Sequence, residues 1–157
     1  MRVLEQVLFW VHGMSAAAWF GAIFYRTLVV DGKAFRYFTG AADYERFCTH
    51  MADGMRYVVA AGMLTCATSG FLLAGWRWNP DNAVWLGPVG AKVAVQVAAA
   101  GLFAYVSYVH WPWRSFAAPE ESPKYRREGQ RLALAMVALS GLGFVLGQAC
   151  RLAYPAA

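Results

Sequence analysis

Charge is scarce in this chain. Asp, Glu, Lys and Arg make up 15% of its 157 residues, against roughly 25% in an average soluble domain. That shortage argues against a water-soluble globule, a disordered chain and a coiled coil. Histidine is rarer still, with three copies. The three cysteines, Cys48, Cys66 and Cys150, form neither C-x-x-C nor C-x-x-C-H. The c-type haem attachment motif is therefore absent, and no zinc pattern is present. An odd cysteine count on apolar segments also argues against a disulfide framework. No repeat or low-complexity tract occurs.

What the chain has instead is apolar surface. Hydrophobic residues make up 59% and aromatic residues 16% of the sequence, and mean hydropathy is +0.37. Four apolar runs stand out, at 3–30, 56–76, 84–113 and 132–154. Each reaches the ~20 residues that a spanning helix needs. Backbone groups in lipid must bond internally, and these runs lack the alternation of barrel strands. The sequence thus predicts an all-α integral membrane protein, a single domain built as a four-transmembrane-helix bundle. The first run exceeds the ~7–15 apolar residues of a signal peptide, so it is expected to remain as a span. Between the runs, 31–55 reads as a polar lead with a short interfacial helix. The stretch 77–83 reads as a turn rich in Asn and Pro, and 114–131 as a solvated loop.

Net charge is +5 and the pI about 9.3. The basic residues sit between apolar runs, so they indicate topology and lipid headgroups rather than nucleic acid. Ten Lys and Arg residues fall on the side of the first and third connections, and three on the side of the termini. The excess of positive charge inside places both termini on the periplasmic side of a bacterial inner membrane. Trp76, Trp78 and Trp85 would mark the outer interface, and Trp111 and Trp113 the inner one.

Ionisable groups inside a span are costly and point to function. Glu5, His12, Trp19 and Arg26 are seven residues apart and share one face of the first helix. Lys92, Gln96, Phe103, Ser107 and His110 share one face of the third. At ~1.5 Å rise per residue, His12 and Lys92 lie at nearly the same depth. They are expected to form one site in the outer half, which Ser69 and Gln148 can join. A second polar layer of His50, His110, Arg56 and Arg114 lies at the inner side, suited to propionates or phosphates. His12 is the candidate haem ligand. Lys92 is a candidate proton-transfer group or carboxylate partner. Copper is an alternative metal, with Met14, Met51, Met55 and Met63 as soft ligands beside His12 or His50. Gly141, Gly143 and Gly147 suit close helix packing.

HGMSAAAWFGAIFYRTLVV in the first run resembles the first helix of the bacterial four-helix membrane protoporphyrinogen IX oxidase family, through His12, Trp19, Phe20, Gly21, Phe24, Tyr25 and Arg26. Ala91 and Lys92 match that family's third helix, and Glu45 and Arg46 its lead into the second. The segments at 54–75 and 87–97 are similar to the copper-resistance protein D family. The resemblance covers roughly residues 5–110. It implies a haem b or porphyrin-binding redox protein that passes electrons to a quinone-linked respiratory partner. His12 would be the metal ligand, Trp19 would wall the ring, and Lys92 and Arg26 would hold propionates or move protons. His50, His110 and Gln96 complete the expected binding set. A copper-handling protein and a non-catalytic accessory subunit are the alternative expectations. A homo-oligomer is compatible with all three.

Overall fold

The computed structural model describes residues 2–77, 81–118 and 120–153. Among them there is helix and no strand. Helix α1 (Arg2–Tyr25) runs through one π-turn (Arg26–Val30) into α2 (Asp31–Tyr37). An amphipathic helix, α3 (Ala41–Ala52), leads to α4 (Met55–Trp76). Helix α5 (Ala83–Tyr105) passes through a second π-turn (Val106–His110) into α6 (Trp111–Phe116), and α7 (Ser122–Ala153) closes the fold. Four continuous helices, Val3–Tyr37, Met55–Trp76, Val84–Phe116 and Ser122–Ala153, are long and apolar enough to cross a bilayer. Their apolar side chains face outward: Val3, Phe71, Val97 and Val145 are each at least 60% exposed. Such a surface is stable only in lipid. The chain is a multi-pass membrane protein.

Local chemistry sets the helix ends. The Asn82 side chain accepts a hydrogen bond from the Trp85 backbone N–H at 3.1 Å and caps α5. Gly54, at φ 72°, supplies the left-handed residue between α3 and α4.

Two expected boundaries move. The first span continues seven residues past Val30, because the π-turn carries the helix through Asp31 to Tyr37. The stretch read as a solvated loop is helical from Ser122. Its Lys, Arg, Glu and Gln are good helix formers, and hydropathy alone misses a polar helical extension. Trp78 and the expected end of the fourth span at Tyr154 lie outside the described residues. Trp85 is not an interface anchor, since it is 3% exposed. Trp76 and Trp113 do face outward.

Helix α1 packs on α4 and α7, and α5 packs on α7, whereas α4 and α5 barely touch. One buried residue from each span forms the central layer: Trp19, Met63, Ala99 and Met136. Gly141 receives the Phe20 ring, where an added Cβ would come within 3.3 Å. Gly143 faces Val95. Arg77 at the end of α4 pairs with Glu5 of α1 at 2.6 Å. Arg151 of α7 lies over the Phe9 ring, 5.6 Å from its centroid. These contacts gather the start of α1 and the end of α7 at one end of the bundle. At the opposite end, Tyr44 and Cys48 of α3 bury against Ala34.

Candidate functional site

His12 and Lys92 meet. His12 Nδ1 lies 2.9 Å from the Cys66 carbonyl oxygen. A carbonyl only accepts, so Nδ1 carries the proton and donates it there. His12 Nε2 is left as an acceptor, and Lys92 Nζ stands 2.9 Å from it. Ser69 Oγ lies 3.2 Å from Nδ1 and donates to the Thr65 carbonyl at 2.6 Å. Two glycines make the room. A Cβ on Gly70 would come within 2.9 Å of His12 Cε1, and one on Gly147 within 3.0 Å of Lys92 Nζ.

The pair borders a cavity of about 500 Å³ between α4 and α5. That volume is in the range of small-molecule and cofactor sites, roughly 300–1,000 Å³. Phe9, Phe71, Trp85 and Phe103 give it an aromatic wall, and Gln96, Arg77 and Arg151 add polar groups. Leu64, Phe71 and Val97 on its lips are 60–66% exposed, so the cavity borders the lipid-facing side of the bundle. The Cys66 thiol lies 3.8 Å from His12 Nδ1, and Met63 and Cys150 also line the space.

A second cavity, of about 220 Å³, lies at the other end of the bundle. The central layer separates the two, and Phe103 borders both. Arg26, Arg56, Arg114 and Arg126 line the second cavity together with His110 and Ser107. Arg114 donates to Glu45 Oε2 through Nε and Nη2, at 2.9 and 2.8 Å. Arg126 Nη2 reaches Glu45 Oε1 at 3.2 Å, and its guanidinium stacks on Tyr44, 4.5 Å from the ring centroid. Burial pushes the Tyr44 phenol up to about 12 and raises the Cys48 thiol as well.

The expected site residues therefore divide. His12, Lys92 and Ser69 come together at the matched depth the sequence predicts, and Gln96, on the Lys92 face, lines the same cavity. Gln148 is exposed and does not join them. Trp19 does not line the His12 cavity, because its ring is consumed in the central layer. Arg26 belongs to the second cavity, beside Asp31 at 3.9 Å, about 21 Å along the helix from His12 by the rise per residue. His110 is buried in that cavity, but His50 is exposed on α3 and outside the layer. Residue position alone could not show which face of α3 turns inward. The methionines do not converge: Met14 is 68% exposed, Met63 lines the first cavity and Met55 the second. Among the described residues no three His, Cys, Asp or Glu side chains group to hold a metal. A haem needs only one or two axial ligands from the chain.

Sequence reasoning missed Gly70, Arg77, Arg151, Arg126 and the central role of Glu45. Arg77 and Arg151 carried a signal, as two of the three cations near the termini. Comparison with family models, with curated proteins and with solved structures returns no match.

Proposed function

We propose that this chain holds a haem b or a related porphyrin in the His12 cavity and serves as a membrane redox protein with a quinone-linked partner. One observation carries the reading. A histidine that ligates a metal usually donates its other ring N–H to a carbonyl or carboxylate, which fixes tautomer and orientation. His12 makes that bond to Cys66 and lines the cavity, with Nε2 facing Lys92 Nζ, which lines it too. The aromatic wall suits a flat apolar ring. Arg77 and Arg151, on the same cavity, suit acidic substituents.

The residues present thus fit the group. His12 would hold the iron through Nε2 with Lys92 Nζ displaced from it, Gln96 would hydrogen-bond at the ring edge, and Arg151 and the Glu5-paired Arg77 would hold propionates. The haem would supply one-electron chemistry. Lys92 would deliver or accept a proton at Nζ, next to His12. The resemblance to the protoporphyrinogen IX oxidase family makes porphyrinogen oxidation the candidate reaction. The positive-charge count supports both termini on the periplasmic side of a bacterial inner membrane, so a reporter fused after Ala157 should read as periplasmic.

The test is an absorption spectrum of the detergent-purified protein, oxidised and dithionite-reduced, with metal analysis. A Soret band with sharp reduced α-bands, lost in His12→Ala while membrane insertion persists, supports the reading. Full retention of haem in His12→Ala removes His12 as ligand. A second reading, copper handling, rests on Met63 and Cys66, soft donors beside His12. Bound copper with a featureless visible spectrum would favour it. Neither haem nor metal, with cofactor loss in detergent excluded, would favour an accessory subunit.

A further inference from the structure

The second cavity contains polar groups that the protein itself leaves unsatisfied. His110 is 4% exposed. Among the described residues its Nε2 is buried without a hydrogen-bond partner, and so is Arg126 Nε. Buried polar atoms are nearly always paired, and an orphan costs about 1–3 kcal/mol. Both residues line the same space. Guanidinium groups are also concentrated there. Arg26, Arg114 and Arg126 are partly buried on it while Arg56 is exposed, and Glu45 is already shared by Arg114 and Arg126. Among the described residues Arg26 has a loose pair, at 3.9 Å from Asp31.

We propose that the His110 cavity is a binding site for a phosphate-type oxyanion, separate from the His12 cavity. Arginine forks match phosphate oxygens in a bidentate way, and Arg26 and Arg126 supply the forks. A protonated His110 Nε2, or a neutral one meeting a protonated phosphate oxygen, completes the set. The cavity floor is apolar, with Ile23, Val59 and Met136. At about 220 Å³ it takes a headgroup rather than a whole lipid. The source is a phospholipid headgroup or free phosphate.

The full-length protein, purified in mild detergent, distinguishes the two. Solvent extraction with phosphorus analysis reads retained phospholipid. Calorimetry of the delipidated protein with inorganic phosphate reads the free anion. About one phosphate group per chain in the first assay assigns a lipid headgroup, and saturable binding in the second assigns a small anion. In either case Arg26→Gln and Arg126→Gln should weaken binding by about tenfold, the loss of one charged hydrogen bond. Arg26→Lys keeps the charge without the fork and should weaken binding less than Arg26→Gln, and unchanged helix content guards against misfolding of the glutamine variants. Lys33→Gln removes an exposed cation outside the cavity and should change nothing. The proposal is overturned if neither assay finds phosphate, or if Lys33→Gln weakens binding as much as Arg26→Gln. It also falls if His12→Ala abolishes binding in a folded protein, since the ligand would then belong to the other cavity. It stands unchanged if the haem reading fails.

Discussion

Lys92 Nζ and His12 Nε2 stand 2.9 Å apart, joined across 80 positions of sequence. Neither side chain could reach the other without glycine on both flanking helices, Gly70 in α4 and Gly147 in α7. The pair is therefore a product of four spans, and its sensitivity to small changes can be measured.

Gly70→Ala places a Cβ 2.9 Å from His12 Cε1. Alanine itself favours a helix by roughly 0.5–1 kcal/mol over glycine, so global stability should fall little. The imidazole must shift from the Cys66 carbonyl. A displaced Soret maximum or reduced occupancy, at near-wild-type melting temperature, is the expected result. An unchanged spectrum would show that His12 has room to spare.

Lys92→Met keeps the length and removes the ammonium. Expression and helix content should hold. Electron transfer coupled to a proton should slow by about 10²-fold or more, the usual contribution of a positioned proton-transfer group. Equal turnover in the variant would reduce Lys92 to a packing role.

Glu45 joins α3 to both α6 and α7 through Arg114 and Arg126. Glu45→Gln leaves two half-buried guanidinium groups with weaker partners. We expect a loss of about 2 kcal/mol, in the range for hydrogen bonds to charged groups. Denaturant unfolding in detergent reads it. A double variant with Arg114→Gln should recover part of the loss, because the orphaned charge goes too.

Tyr44 titrates late. Its folded phenol is pushed up to about 12 from an ordinary value of 10.0. The group's contribution to stability is complete below pH 10 and declines as pH rises toward 12, because the unfolded phenol ionises first. The alkaline difference spectrum of wild type against Tyr44→Phe should show one phenol ionising near pH 12. Ionisation near 10 would mean that α3 does not bury this ring.

The sequence was legible where one physical rule dominated. Lipid demands long apolar helices, so four spans could be read directly from hydropathy. Helical period and equal depth are enough to place His12 and Lys92 together, with Gln96 on the Lys92 face. The same rules failed where side-chain direction mattered. Trp85 is rich in aromatic surface but points inward. His50 and His110 look alike in sequence, yet one is exposed and the other 4% exposed. Ser122–Gln130 reads as polar loop because charge hides helix propensity.

Composition and periodicity determined the environment, the number of spans and which faces carry polar groups, since these depend on local spacing and on transfer from water to lipid. Only the tertiary structure decided that Trp19 closes a layer between two cavities, that Arg26 and His12 serve different ones, and that Glu45 gathers two arginines. Those outcomes depend on helix rotation and on how closely glycines let neighbouring backbones approach. No stretch of one helix contains that information.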